Sequence, residues 1–420
     1  MISKSSKPTY NLILSGILIA IITYSILWNF PVITHNFELS ISDLKFKFRS
    51  NLDYEPELNS DIVLIGLDDV SKINSGYQYL WPYKYYAETV KKITQAEPTS
   101  FGMDILFTNT IDNEGWSSMI DELSESYMSI NPYIVEFGNK KIPLDVNEHA
   151  EILKEIRLDN LPLAKNFDYN HVIDIKYKTH NELQEVSSGL GFANIKHDSD
   201  GVLRRLPIIA EVDGMIVPHL FFKLLCEHLD YSLDNIELIN PYKLLLNDFP
   251  NNDTTKNLQI PLDGNGNLYI NYMSFEKIQY QKKRGQFYHF SAWPFIQHKN
   301  NLNFKNKTVL FGDLSMAAND ISPTPMDGQL HNPLIFVIAM SNILNNSFIK
   351  TTTNAHTMFE ILFLILLLSI CVQKLKVFEF SVASILILIS YIATNFVCFI
   401  YFGINMPLFN VVIPILATSA

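Results

Sequence analysis

Long apolar runs lie at the two ends of the chain, and the middle alternates short apolar runs with polar stretches. Run 10–28 is close to the roughly 20 residues that a helix needs to cross a bilayer. Three more runs follow near the C-terminus: 358–372, Val377–Phe402 and 406–417. The pattern predicts four transmembrane α-helices that frame one large polar region.

The sequence around the first run favours an uncleaved membrane anchor. Lys4 and Lys7 precede run 10–28, and no small-x-small cleavage site follows it. A cleaved signal peptide has a shorter apolar core and such a site, and it is the alternative interpretation.

Positive charges predict the orientation in the membrane. Lys4 and Lys7 precede the first run, and Lys374 and Lys376 separate the second from the third. Cytoplasmic loops are enriched in lysine and arginine, so both sites belong to the cytoplasm. We therefore expect a cytoplasmic N-terminus (1–9), an anchor (10–30), an extracytoplasmic domain (31–355) and three spans (356–420), with both termini cytoplasmic.

The extracytoplasmic region has the pattern of an α/β domain. Runs 61–67 and 100–107 are short, apolar and typical of buried strands, and 84–97 between them has helical spacing. Strand, helix and strand at this spacing predict a βαβ unit and a parallel sheet. Run 307–311 predicts another strand, and 331–346 a helix.

Other stretches predict hairpins, so the expected sheet is mixed, partly parallel and flanked by helices. Stretches 203–212 and 268–272 have strand patterns, and the Asp263–Asn267 stretch between them has the residues of a turn. Residues 108–185 are the most polar and least regular part of the domain, and we expect them to be an insertion.

Charge and cysteine content exclude several classes of protein. The formal net charge is −11, with the acidic excess in the middle of the chain, whereas nucleic-acid binding requires a basic face. The three cysteines form no CxxC motif and no cysteine/histidine cluster. We expect no disulfide framework, no cofactor and no nucleic-acid partner.

Four aspartates stand at the carboxyl ends of predicted parallel strands. Asp68 and Asp69 follow the first strand, Asp104 lies in the second, and Asp313 follows 307–311. Ligands of open α/β sheets bind outside those ends. Clustered carboxylates can bind a cation or an amine, or share a proton. Alternatively, each aspartate caps a helix or closes a turn. The sequence leaves open whether these carboxylates bind a metal.

Other polar residues suggest chemistry less strongly. Arg204 and Arg205 can clamp an acidic ligand or pair with nearby carboxylates. Ser315 and Ser322 lack the nucleophile-elbow pattern, and the sequence does not pair any histidine with them. An exported hydrolase is therefore the least favoured function.

Several short segments resemble, in order, the CHASE type 2 domain, an extracellular sensory module associated with cyclases and histidine kinases. The first strand continues as Asp68-Asp69-x-Ser71, followed by Trp81-Pro82. The other matching segments are 42–49 (SDLKFKFR), 101–107 (FGMDILF), 191–194 (GFAN), 198–204 (DSDGVLR), 304–313 (FKNKTVLFGD), 320–325 (DISPTP) and His331 at a helix start. The resemblance covers about 38–420.

The resemblance implies a sensor rather than an enzyme. Thr324, in segment 320–325, joins Asp68, Asp69, Asp104 and Asp313 in the expected ligand site. Family members have one span before the domain and three after it, and the last span usually leads to a cytoplasmic cyclase or kinase. This chain carries no such domain, so we expect it to be a truncation or to signal through a partner. Tyr83 and the helix after Pro333 depart from the family pattern.

The main hypothesis is a multi-pass sensory receptor region in the bacterial inner membrane. Its periplasmic domain binds an unknown ligand or protein, and the signal passes through the spans, within a homodimer, to an output domain that is missing or supplied by a partner. The alternative is a non-enzymatic envelope scaffold. An exported hydrolase is the third possibility.

Overall fold

The computed structural model describes residues 7–77, 81–109, 113–126, 128–138, 170–212, 215–251, 254–298 and 302–419. Its contacts divide the chain into two compact units. The helical unit combines Met1–Tyr54 with Ile349–Ala420, and the α/β unit is Glu55–Phe348.

The described helices belong to both units. They are α1 (Lys7–Asn29), α2 (Pro31–Asn51), α3 (Asp69–Ser75), α4 (Tyr83–Gln95), α5 (Asn113–Ser126), α6 (Asn181–Glu185), α7 (Leu220–His228), α8 (Phe275–Lys283), α9 (Ala292–Gln297), α10 (Asn332–Leu344), α11 (Asn354–Lys374), α12 (Val377–Phe402) and α13 (Phe409–Ser419).

The strands lie mainly in the α/β unit. They are β1 (Ile62–Leu67), β2 (Ser100–Asp104), β3 (Ser129–Gly138), β4 (His171–Lys178), β5 (Gly189–Phe192), β6 (Arg205–Pro207), β7 (Ile209–Val212), β8 (Met215–Pro218), β9 (Ile236–Asn240), β10 (Lys243–Asn251), β11 (Thr254–Pro261), β12 (Asn267–Tyr269), β13 (Tyr288–Ser291), β14 (Thr308–Asp313), β15 (Ile321–Ser322), β16 (Leu330–His331), β17 (Lys350–Thr351) and β18 (Ile404–Asn405).

The main sheet has nine strands in the order β13-β1-β14-β2-β3-β4-β7-β8, with β5 paired to β3. Strands β13, β1, β14, β2, β3 and β5 form its parallel part. Antiparallel pairs β3–β4 and β7–β8 make the sheet mixed. The predicted α/β class and the partly parallel sheet are confirmed.

Alternate residues of the parallel strands pack helices on opposite faces of the sheet. Val63, Ile65 and Met103 belong to the buried cluster that includes side chains of α4, α5 and α9. On the other face, a Cβ added at Gly102 meets Leu224 of α7 at 2.7 Å. The period of two therefore gives both faces a helical layer, as parallel sheets require.

The stretches predicted as hairpins form strands with different partners. Stretch 203–212 divides into β6 and β7, because β6 pairs with β12 and β7 pairs with β8. The described parts of 108–185 include α5, β3 and β4, and β3 and β4 lie inside the main sheet. Residues 139–169 lie outside the described residues, so the proposed insertion stays a prediction.

Two helices of the helical unit, among the described residues, are long and apolar enough to cross a membrane: α11 and α12. Helix α1 spans Lys7–Asn29, and the side chains described within it include the apolar stretch Leu14–Leu27. Helix α13 has 11 residues, or about 16 Å at 1.5 Å per residue, and contains Pro414. Of the four predicted spans, the structure supports two.

Candidate functional site

The predicted carboxylates lie along one edge of the parallel sheet. Asp104 and Asp313 are the last residues of β2 and β14, while Asp68 and Asp69 directly follow β1. Strand β14 lies between the other two, and its Gly312 pairs in register with Asp104. We call these strand ends and the residues packed against them the carboxyl edge.

The first two aspartates have mainly structural contacts. Asp68 caps α3, because its Oδ1 accepts hydrogen bonds from the backbone N–H of Ser71 at 2.8 Å and from the Ser71 hydroxyl at 2.7 Å. Its Oδ2 accepts one from Ser291 at the end of β13. Asp69 accepts a longer bond from the backbone N–H of Met316, at 3.2 Å.

Asp313 is held in an ion pair with Lys72. The Lys72 Nζ lies 3.0 Å from Asp313 Oδ2 and donates to the Ser315 hydroxyl at 2.7 Å. The backbone N–H and the hydroxyl of Ser315 donate to Asp313 Oδ1 at 2.9 and 2.6 Å. Both oxygens of Asp313 therefore have partners inside the protein.

Asp104 is the aspartate whose buried oxygen lacks a partner. Its Oδ2 is buried and accepts no hydrogen bond among the described residues. Burial, and then the nearby charge of Asp320, raises the pKa of Asp104 well above its ordinary value. Asp320 accepts a hydrogen bond from Asn332 at the start of α10, but burial still raises its pKa.

Two histidines near this edge also have buried nitrogens without partners among the described residues. His289 lies in β13, and both of its ring nitrogens are buried and unpaired in the described part of the chain. His289 pairs with Leu64 inside β1, and its Nε2 lies 3.4 Å from a Cβ built at Gly66, close to the end of that strand. His331 is the residue before α10, and its Nδ1 is buried and likewise lacks a partner among the described residues.

Burial lowers the pKa of His289 to about 4, and the charge of Lys282 adds to the effect. Burial lowers the pKa of His331 as well, against the charges of Asp69 and Asp313.

Thr324 is placed in a turn of its own. Its hydroxyl accepts from the backbone N–H of Asp327 at 2.9 Å and donates to the carbonyl of the same residue at 3.1 Å. Asp327 in turn accepts from the backbone N–H of Phe275, at the start of α8. The contacts described for Thr324 are those of a turn residue and do not group it with the carboxylates.

The two arginines pair with nearby carboxylates. Arg204 is fully buried, and its guanidinium contacts Asp198 at 3.1 Å and Asp200 at 2.7 Å. Arg205 bridges Asp198 and Asp263. Of the two interpretations drawn from the sequence, the structure shows local pairing.

Sequence reasoning missed several members of the site. No helix was predicted around Lys72, and His289 lay in a stretch without a predicted strand. Asp320 stands in segment 320–325, so the resemblance contained a signal for it. These residues are distant in sequence, and the order of the strands brings them to one edge.

The polar side chains of this edge are hydrogen-bonding groups. Among the described residues, no three histidine, cysteine, aspartate or glutamate side chains are arranged to hold a metal ion. A carboxylate accepts hydrogen bonds, and a neutral imidazole both donates and accepts.

Comparison with known proteins identifies the family. The family model described as the CHASE2 domain matches residues 17–371, most of the chain. No curated protein and no solved structure matches the chain. CHASE2 domains are extracellular sensory domains, not catalytic ones. The match includes the parallel sheet and its carboxyl edge, and the chain belongs to the CHASE2 domain family.

Proposed function

We propose that this chain is the input region of a membrane-bound sensory receptor, and that its ligand binds at the carboxyl edge. One observation carries the proposal: Asp104 Oδ2, both nitrogens of His289 and Nδ1 of His331 are buried there without hydrogen-bond partners among the described residues. Buried polar groups are nearly always paired, and an unpaired one costs about 1–3 kcal/mol. A ligand that pairs with these atoms recovers that cost on binding.

The ligand class follows from the same atoms. The raised pKa of Asp104 favours its protonated form, which offers an O–H donor as well as an acceptor oxygen, and the two histidines offer groups that donate or accept. Both histidines are neutral at pH 7, because burial lowers their pKa values. The edge therefore suits a small, polar molecule that both donates and accepts hydrogen bonds, such as an alcohol or a neutral amine, directed at Asp104.

The proposed location is the cytoplasmic membrane of a bacterium, with the α/β unit in the periplasm. Lysines 4, 7, 374 and 376 support cytoplasmic placement of the termini and of the connection between α11 and α12. In the helical unit, β17 before α11 pairs with β18 after α12, which supports two antiparallel spans. The proposal keeps four spans, with α1 and α13 as the outer two.

The proposed output lies beyond this chain. The ligand favours one of two arrangements of the spans, because a ligand that binds both arrangements equally transmits nothing. The arrangement acts within a homodimer on a cyclase-type or kinase-type domain, in the same polypeptide or in a partner.

Thermal unfolding of the full chain in detergent tests the ligand site. Small polar compounds, including amines, amino alcohols and amino acids, are added one at a time at millimolar concentration. A ligand at 100 times its Kd stabilises by about 2.7 kcal/mol. We expect a stabilising compound whose effect disappears in Asp104→Asn and persists in Asp121→Asn, which changes an exposed acid of α5. If no compound stabilises the protein, or Asp104→Asn still responds, the proposal is wrong and a scaffold is the better interpretation.

A further inference from the structure

The chain enters and leaves the α/β unit through two connections, and both are bonded to the same short segment of the helical unit. Helix α2 leads into the α/β unit after Tyr54, and β17 follows directly after that unit ends at Phe348. Residues 403–408 connect α12 to α13, and residues 409 and 410 begin α13. We call residues 403–410 the α12–α13 turn.

Helix α2 contacts this turn through a buried lysine. The Lys45 Nζ donates to Asn405 Oδ1 at 2.9 Å and to the carbonyl of Met406 at 2.7 Å. Asn405 donates in turn to the hydroxyl of Ser42, one helical turn earlier, at 3.1 Å. Lys45 is only 1% exposed, so the geometry of this contact is tightly constrained.

A second side chain of α2 binds the other end of the turn. The Glu38 carboxylate accepts the backbone N–H groups of Leu408 at 2.9 Å and Asn410 at 2.8 Å. These are donors at the start of α13 that lack partners within the helix. Helix α2 therefore holds the turn at both ends.

The outgoing connection contacts the turn through its backbone. Strand β17 pairs in parallel with β18, and Lys350 N–H donates to the carbonyl of Gly403 at 2.7 Å. Thr352 N–H donates to the carbonyl of Asn405 at 3.4 Å. Asn405 is therefore bonded to the incoming helix through its side chain and to the outgoing strand through its backbone.

The turn is also bonded to the predicted spans. Tyr391 of α12 donates to the carbonyl of Pro407 at 3.0 Å, and its hydroxyl lies 2.9 Å from Glu360 of α11. Asn395, fully buried in α12, donates to the carbonyl of Met406 at 3.3 Å. The turn is therefore bonded directly to α12, and the tyrosine that bonds it also contacts a carboxylate of α11.

We propose that the α12–α13 turn is the relay through which the state of the α/β unit reaches α12 and α13, with Lys45 as its positioning residue. The inference rests on the proposed receptor function. Any displacement of α2 relative to β17 is imposed on the turn, because both connections are bonded to it. The buried charge of Lys45 is hydrogen-bonded to Asn405 and Met406 in the turn, and separating α2 from the turn would leave that charge without these acceptors.

A thermodynamic relation makes the relay testable without a ligand. Coupling between two sites is reciprocal, so loosening the turn must also change the α/β unit. The test is amide hydrogen exchange, read by mass spectrometry, on the full chain in lipid nanodiscs. Lys45→Met removes both bonds and keeps the length of the side chain. Lys47→Met is the matched control, because Lys47 is exposed on the same helix.

In Lys45→Met we expect exchange of turn peptides to rise about fivefold or more, as lost buried hydrogen bonds predict. We expect peptides of the carboxyl edge, in β2 and at the start of α10, to change at least about twofold. Lys47→Met should change neither. Ser42→Ala, which removes the bond from Asn405 to the Ser42 hydroxyl, should give the same pattern with smaller effects if Lys45→Met fails to fold.

The outcome that overturns the relay is a loosened turn with unchanged exchange across residues 55–348. Lys45 would then be a local structural contact. This failure differs from failure of the proposed ligand site, because the exchange experiment contains no ligand. A coupled turn in a chain that no compound stabilises would keep the relay and reject the ligand site at the carboxyl edge.

Discussion

Lys72 and Asp313 form an ion pair of 3.0 Å, although 241 residues separate them in the chain. The Lys72 side chain is 5% exposed and that of Asp313 is 23% exposed. Lys72 comes from α3, directly after β1, and Asp313 ends the neighbouring strand β14. The pair therefore joins two parallel strands at the carboxyl edge, next to the buried atoms that we assign to the ligand.

Removing the lysine should destabilise the α/β unit more than removing an exposed one. Lys72→Met leaves the Asp313 carboxylate without its cation in a mostly buried site, which costs about 2–4 kcal/mol. The measurement is the free energy of unfolding of the full chain by chemical denaturation. Lys91→Met, on the exposed side of α4, should change it by less than about 0.5 kcal/mol. Lys72→Met with Asp313→Asn should recover part of the loss, and equal effects of the two lysine variants would contradict the prediction.

Asp104→Asn should stabilise the protein at alkaline pH. Burial raises the pKa of Asp104, so the folded state holds a proton that the unfolded state has released. Stability is therefore lost as pH rises above the ordinary value of 3.8 through the raised pKa. The amide cannot ionise, so we expect a gain of about 1–2 kcal/mol at pH 8 and almost none at pH 4. Unfolding curves at both pH values check this, and a loss at pH 8 would show that the carboxylate stabilises the fold.

His289 should make the α/β unit sensitive to acid. Its pKa in the folded state is about 4, against an ordinary 6.5. Between these values the unfolded chain binds a proton that the folded chain does not, so stability falls as pH falls. From pH 7.5 to 5.0 this histidine should account for up to about 2 kcal/mol. His289→Asn should reduce the slope of stability against pH, while His356→Asn, an exposed site, should leave it unchanged.

Gly312→Ala should disturb the packing of α10 on the sheet. A Cβ at this position meets Pro333 Cγ at 2.6 Å and its Cβ at 2.8 Å, and the proline ring cannot rotate away. We expect a cost of about 1–3 kcal/mol. Gly328→Ala is the matched control, because nothing lies within 4 Å of a Cβ there. The difference in melting temperature between the two variants is the measurement, and similar values would mean that α10 shifts without strain.

Arg204→Lys should destabilise the protein, although lysine keeps the positive charge. The buried guanidinium contacts both Asp198 and Asp200, and an ammonium cannot reproduce that fork of donors. We expect a loss of about 2–3 kcal/mol. Arg205→Lys, at a side chain 25% exposed, should cost less. The two variants are compared by the yield of folded protein and by the denaturation midpoint. If Arg204→Lys is as stable as the unmodified protein, the pairing of Arg204 is not structural, and ligand binding becomes the better interpretation of this residue.

Much of the fold was predictable because its signals are local. The strands at 62–67, 100–104 and 308–313 are short apolar runs, and Pro98 stops α4 near the predicted residue. The helix predicted at 331–346 is α10, at Asn332–Leu344. Patterns with periods of two and 3.6 residues arise from the backbone itself, so the sequence contains them without knowledge of partners.

The packing of α2 was harder to predict. The extracytoplasmic domain was predicted to begin at residue 31, and that boundary stays a prediction, while the contacts of helix α2 place it in the helical unit. Polar residues such as Lys45 and Glu38 gave α2 the composition of an exported segment. Their partners, residues 405–410, lie about 360 residues later. A sequence pattern contains no information about such pairing.

The sequence by itself determined the α/β class, the helix-rich ends, and the placement of Asp68, Asp104 and Asp313 after apolar strands. These follow from local periodicity and from the rule that parallel strands end at one edge. Only the tertiary structure decided which oxygens are satisfied. It paired Asp313 with Lys72, left Asp104 and His289 with buried polar atoms lacking partners among the described residues, and placed Thr324 in a turn. Hydrogen bonding and burial depend on neighbours that are distant in sequence, and strand order alone brings them together.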